Sequence, residues 1–230
     1  MEQMTTPVIL LHGALGSSAQ MSAIQSALDA ERPVYNLDLP GHGGIPAEEP
    51  FSMDLFGRAL LDLLDTKNIA FADLYGYSMG GYIALWFAWK FPERVRLVKT
   101  LGTKLDWTPE TAAGMVRMFD PEKIEAKAPQ LAQHLATVHA PLDWKLLCRQ
   151  TSDFLQRLGA GAGIPDDAFS RIGCPVHIGR GDADQVVGME ECEKVAALLP
   201  DGHLHVLAGV PHGMERGGEV YFLSDVRGEK

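Results

Sequence analysis

The sequence predicts an α/β protein: one mostly parallel sheet of about six strands, helices on both faces, and a helical cap. Three observations lead there. Short aliphatic runs closed by turn residues recur along the chain, and longer stretches with helical spacing lie between them. One long segment, 104–170, has helical spacing and no convincing strand. Alternating strand and helix patterns build βαβ units, whose parallel strands need cover on both faces. Right-handed crossovers then restrict the topology.

The first strand is expected at Val8–Leu11, running into His12-Gly13, and the second at Val34–Leu39, closed by Pro40-Gly41-His42-Gly43-Gly44. Four more are expected at Phe71–Gly76, Leu97–Leu101, Pro175–Gly179 and His203–Ala208. Helices are expected at Ser18–Ala30, Met53–Asn68, Gly80–Phe91 and Met189–Leu199, with a short last one around Glu219–Val226. Met53–Asn68 shows an apolar face most clearly, with Leu55, Phe56, Leu60, Leu63 and Leu64 at steps of three and four.

Between the fourth and fifth strands, helical patterns run over Pro109–Phe119, Pro121–Ala140 and Asp143–Leu158, followed by a loose GAGAGIPDD stretch. Pro109 and Pro121 suit first-turn positions, and Pro129 divides the second pattern. The chain therefore reads as a core of residues 1–103 and 171–230 carrying a cap of residues 104–170.

Composition sets the class. Of 230 residues, 46% are hydrophobic and 22% charged, so a buried core is within reach and disorder is not expected. A formal charge of −10 argues against a nucleic-acid or anionic-membrane binder. Cys148, Cys174 and Cys192 lack CxxC spacing and read as bystander thiols. MEQMTTPVILLHG has no basic n-region, so no signal peptide is expected. Lys90 ends the best apolar run, ALWFAW, far short of a membrane span. A cytoplasmic protein is the expectation.

The chemistry centres on Gly76-Tyr77-Ser78-Met79-Gly80-Gly81, which follows a predicted strand and opens a predicted helix. A turn that tight strains Ser78, and the residues two positions either side must lack a Cβ. Gly76 and Gly80 meet that demand. Ser78 Oγ would then project at the sheet's carboxyl edge near the positive end of the next helix. A serine needs a base to act as a nucleophile, and the base needs an orienting acid. In this architecture the chain order is serine, acid, histidine, each at a strand end.

His212, in the loop after the last strand, is the expected base. The acid is expected at Asp184, with Asp182 in the same loop and Asp106 after the fourth strand as alternatives; Asp182 would instead hold the loop through backbone hydrogen bonds. An oxyanion hole is expected from the backbone N–H of Met79 and of Ala14. His12 and His42 read as loop-shaping residues and His177 as structural. His203 and His205 alternate along a strand, and no metal site is expected there.

In their order, HGALGSS, LDLPGHG, GYSMGG, GDADQVV and PHG resemble the motifs of the α/β-hydrolase superfamily across nearly the whole core. That resemblance implies the α/β-hydrolase fold, a Ser78–Asp184–His212 triad and a helical lid. Two leading strands common in the family are expected to be missing. Ser78 sets the chain apart from branches with an aspartate nucleophile, such as haloalkane dehalogenases and epoxide hydrolases.

Serine chemistry implies acyl transfer without a metal or organic cofactor. The first expectation is hydrolysis of a small, apolar ester, with Leu15 and the cap residues Trp107, Met115, Met118, Phe119, Leu135 and Trp144 as candidate pocket lining. An alternative is a lyase resembling the menaquinone-pathway SHCHC synthase, where an arginine follows the double glycine; here that residue is Tyr82. A non-catalytic ligand-binding member of the fold is the third.

Overall fold

A computed structural model describes residues 5–214 and 217–224. Six strands form one sheet: β1 (Val8–Leu11), β2 (Val34–Leu37), β3 (Ala72–Tyr77), β4 (Val95–Leu101), β5 (Val176–Gly181) and β6 (Gly202–Leu207). All pair in parallel, in the order β2-β1-β3-β4-β5-β6. The α/β-hydrolase architecture expected from the motifs is the one observed. The chain leaves β1 toward β2 and returns on its other side at β3, so the strand order reverses there. Loops after β1 and β3 diverge at such a reversal, which opens a crevice at the carboxyl edge. Leu11 pairs with Gly76, which sets Gly13 level with Ser78.

Alternation along the strands buries both faces. Val8, Leu10, Tyr75 and Tyr77 pack with α1 (Ser22–Leu28) and α10 (Gly218–Leu223). Ile9, Leu11 and Leu74 pack with α2 (Met53–Thr66) and α3 (Met79–Lys90). In α2 the apolar face buries Leu55, Phe56, Leu60 and Leu64, while Ser52 caps the helix by accepting Leu55 N–H at 3.0 Å. Ten of the twelve residues of α3 are buried, the pattern of a helix enclosed on every side.

Five helices lie between β4 and β5: α4 (Pro109–Val116), α5 (Pro121–Lys127), α6 (Pro129–Val138), α7 (Trp144–Arg157) and α8 (Asp166–Phe169). Proline opens α4, α5 and α6, where its missing N–H has no intrahelical use. Ala128, before Pro129, leaves the helical region at φ −139° and divides α5 from α6. The stretch expected to be loose, 159–167, is ordered by packing. A π-type turn spans Leu158–Ala162, Ile164 N–H donates to the Tyr82 hydroxyl at 2.7 Å, and α8 follows. A Cβ on Gly159 would lie 2.5 Å from that of Ala112, so this turn sits directly on α4.

The ninth helix, α9 (Met189–Leu198), joins β5 to β6. Strand limits shift by one or two residues from the expected ones; β5 runs on to Gly181 because its ladder with β6 continues to Leu207. The expected last helix begins at Gly218, and its predicted end at 225–226 lies outside the described residues. Among the described residues no helix is long and apolar enough to cross a membrane.

Candidate active site

Ser78 sits at the end of β3 with φ 51° and ψ −116°, a left-handed conformation that side chains other than glycine rarely adopt. Surrounding bonds hold it there: Ser78 N–H donates to Leu101 O at 2.8 Å, and Thr103 Oγ1 donates to Ser78 O at 3.0 Å. The two flanking glycines are needed sterically. A Cβ on Gly76 would lie 2.4 Å from Gly81 N, and one on Gly80 would lie 2.3 Å from Leu11 O. The side chain is thereby turned out at the strand end.

Ser78 Oγ lies 3.4 Å from His212 Nε2, and His212 Nδ1 lies 2.9 Å from Asp184 Oδ2. A carboxylate only accepts, so His212 carries its proton on Nδ1 and presents Nε2 as an acceptor to the Ser78 hydroxyl. Tyr77 holds the loop behind it, its hydroxyl donating to His212 O at 2.8 Å. The Asp184 side chain is 1% exposed, and its Oδ1 accepts Val186 N–H at 2.7 Å and Val187 N–H at 3.0 Å. Burial opposes its ionisation, but the hydrogen bond from His212, the positive charge that imidazole carries once protonated, and these two N–H groups outweigh that. Together they hold the carboxyl below its usual range.

Among the three acids weighed, Asp184 is the one at His212. Asp182 Oδ1 instead accepts Gly209 N–H at 2.6 Å, a loop-holding contact. Asp106 N–H donates to Glu191 Oε2 at 2.8 Å, and the residue lines a different cleft.

Met79 opens α3, so its N–H is one of the first-turn donors without an intrahelical acceptor. Gly13 faces Ser78 closely enough that its Cβ would lie 3.4 Å from that of Ser78. Ala14 N–H therefore belongs to a loop lying against the serine. On either side of it, Gly13 N–H donates to Gln20 Oε1 at 2.9 Å and Gly16 N–H donates to Gly13 O at 3.0 Å.

The candidate pocket residues separate. Leu15 and Leu135 line one cavity of about 430 Å³ with Ala14, Gln20, Leu131 and Val138. Trp144 is buried behind it, in a cluster with Leu135 and Ile124. Trp107 lines a second cleft of about 270 Å³ with Tyr82, Leu105 and Ile164. Phe119 is buried in the main core, Met115 packs against it, and Met118 is 49% exposed and lines neither cavity.

Three residues without a motif prove structural to the site. Arg180 cinches the acid loop, Nε donating to Val187 O at 3.0 Å and Nη2 to Asp184 O at 2.9 Å. Gln20 and His139 fasten the loop after β1. No local pattern marks any of them, because their partners lie on other segments. The thiols of Cys148, Cys174 and Cys192 are free, and burial pushes them up to about 12, 11 and 12. They are protonated and inert at neutral pH.

His12 shapes its loop as expected: Nδ1 donates to Gly13 O at 2.8 Å, and Nε2 accepts Leu39 N–H at 3.2 Å. Burial pushes its pKa down to about 4. As pH falls below about 6.5, the unfolded chain takes up a proton that the folded chain refuses, so stability drops until the pH reaches the folded value. Going from about pH 6.5 to about pH 5, His12 alone removes about 2 kcal/mol. Buried His42, held well below its ordinary value, acts in the same direction. Urea midpoints at the two pH values read the loss; an unchanged or rising midpoint on acidification refutes it.

A family described as alpha/beta hydrolase fold matches residues 6–149. The chain is 30% identical over 209 residues to the dihydrolipoyllysine-residue acetyltransferase component of the acetoin cleaving system of Pseudomonas putida, covering 86% of the chain and 54% of that protein. It is 28% identical over 228 residues to a pimeloyl-[acyl-carrier protein] methyl ester esterase of Aromatoleum aromaticum, covering 86% of the chain and 87% of that protein. The chain thus spans about half the length of the first relative, and matches over 89 residues cover 33% of several other curated relatives. Among solved structures, NosK from Streptomyces actuosus superposes with a TM-score of 0.80 at 21% identity, covering 97% of this chain and 96% of that one.

Proposed function

Because the chain belongs to the alpha/beta hydrolase fold family, we propose that it cleaves a small carboxylic ester through an acyl-enzyme on Ser78. One observation carries this reading: the continuous run from Ser78 Oγ through His212 to the buried Asp184 carboxylate. His212 Nε2 takes the Ser78 proton as Oγ attacks the carbonyl carbon, and the same nitrogen then returns it to the leaving alcohol. Water next attacks the acyl-enzyme, with His212 again as base, releasing the acid and restoring Ser78. The 3.4 Å serine–imidazole distance suits a resting site that tightens when substrate binds. Met79 and Ala14 N–H would stabilise the tetrahedral oxyanion, one from the start of α3 and one from the loop after β1.

Acyl chemistry is also what the relatives' names describe, one a methyl ester esterase and another an acetyltransferase component. Residues 104–170 act in this reading as a cap over the core. The cavity between the loop after β1 and α6 begins at Ala14, the oxyanion-hole candidate, and its Leu15, Leu131, Leu135 and Val138 side chains offer apolar surface to a short acyl or alcohol chain. Ser78 and His212 are not part of its lining. Tyr82 speaks against the carboxylate-binding lyase alternative: it is buried, its hydroxyl is taken by Ile164 N–H, and burial pushes its pKa well up. A neutral phenol in that setting is no counter-ion for a carboxylate.

A serine-reactive fluorophosphonate is expected to label Ser78 rapidly, and p-nitrophenyl esters of graded chain length to be turned over with a preference for short chains. Labelling without turnover on any ester would favour a ligand-binding or lyase role. Neither labelling nor turnover would remove the hydrolase reading.

A further inference from the structure

The helical segment and the loop after β1 meet at one imidazole. His139, just past the end of α6, is fully buried, and its two ring nitrogens serve two different core loops. Nδ1 accepts Gly43 N–H at 3.0 Å, in the loop after β2. Nε2 donates to the Leu15 carbonyl at 3.1 Å, in the loop after β1. A backbone N–H can only donate and a carbonyl can only accept, so the partners fix the neutral Nε2–H tautomer. Contact between the segments is close: a Cβ on Gly44 would lie 2.8 Å from Ala140 O.

Leu15 needs such an anchor. Its φ of 55° is left-handed, a conformation that is unfavourable for a residue with a Cβ. Besides His12, which donates to Gly13 O at 2.8 Å, two side chains hold the loop from opposite sides of Ala14. Gln20 accepts Gly13 N–H from within the core, and His139 donates to Leu15 O from the helical segment. Ala14 N–H shares its peptide plane with Gly13 O, and Gly13 O accepts Gly16 N–H at 3.0 Å. Gly16 N–H in turn shares its plane with the Leu15 carbonyl that His139 holds, so a turn of that carbonyl loosens the bond that sets Ala14 N–H.

We propose that His139 is a positioning residue for the oxyanion hole: its Nε2–H bond to the Leu15 carbonyl aims Ala14 N–H, so the hole is complete only while the 139–141 loop is docked on the core. The proposal rests on the esterase reading of Ser78. It also gives the helical segment a part in catalysis beyond covering the site, since undocking that loop would release an oxyanion donor.

Two substitutions separate the two bonds. Asparagine sets an amide oxygen where Nδ1 lies and keeps the Gly43 contact; glutamine sets an amide nitrogen where Nε2 lies and keeps the Leu15 contact. Both remove the ring, so both lower Tm. On a short ester, His139→Asn is expected to lose about 10- to 100-fold in kcat with KM changed less than about threefold, the range for a misaimed oxyanion donor. His139→Gln is expected to retain at least about ten times the kcat of His139→Asn.

Hydrogen exchange should quicken over residues 12–18 in the asparagine variant and over residues 40–46 in the glutamine variant. Equal kcat losses in the two variants, or a raised KM at constant kcat, would overturn the positioning role. If the unmodified protein turns over no ester, the esterase reading fails on its own. The exchange pattern then decides His139: no quickening over residues 12–18 in His139→Asn overturns the proposal.

Discussion

Ser78→Ala is expected to lower kcat on short esters by about 10⁴–10⁶-fold while leaving the fold intact. Oγ is the only atom removed, and its partner, the 22% exposed His212 side chain, can turn to water. No buried group is stranded, so Tm should move by no more than a few degrees. Alanine also keeps the Cβ of residue 78, so the φ of 51° is neither relieved nor worsened. Steady-state kinetics and a thermal melt on the same preparation check both halves. A kcat within tenfold of the unmodified protein would mean that another group forms the acyl bond.

Asp184→Asn is expected to cost about 10⁴-fold in kcat, through proton placement and not through geometry. The asparagine oxygen can still accept Val186 and Val187 N–H, so the loop stays closed. The atom toward His212 then becomes an NH₂, donor against donor at Nδ1. Relief comes when the imidazole moves its proton to Nε2, where it can no longer receive the serine proton. Asp182→Asn and Asp106→Asn are the controls, because Asp182 bonds Gly209 N–H and Asp106 faces the other cleft. A larger kcat loss in either control than in Asp184→Asn would move the acid to that residue.

Much of the candidate site was legible because its demands are local. Gly76 and Gly80 flank Ser78 since no other residue fits against Gly81 N and Leu11 O, and that requirement is written in adjacent letters. Ser78, Asp184 and His212 were legible as candidates because the loops after parallel strands all return to one edge, while their order in the chain is what the family resemblance implies. Strand positions were legible through aliphatic runs closed by turns, though ladder pairing set the ends, as in β5. The 159–167 stretch was not legible: its glycines read as slack, yet contacts with α4 and Tyr82 order it.

The pocket divided along the same line. Helical spacing marks Met115, Met118, Phe119, Leu135 and Trp144 as apolar positions but does not say which neighbour each face meets. In the fold Leu135 reaches the cavity beside Ala14, Phe119 joins the core, and Met118 faces water. His139 was silent in the sequence because its meaning lies in two bonds to residues 96 and 124 positions away.

Local signals suffice for the parallel sheet, the strained turn at Ser78 and the strand ends that carry Asp184 and His212, since periodicity, glycine placement and turn chemistry act over a few neighbouring residues. Which acid lies at His212, which apolar side chains enclose a cavity and which imidazole fastens the loop after β1 emerge from the folded chain alone. Those outcomes depend on packing and hydrogen bonds between segments far apart in the chain, whose partners are chosen only when the layers close on one another.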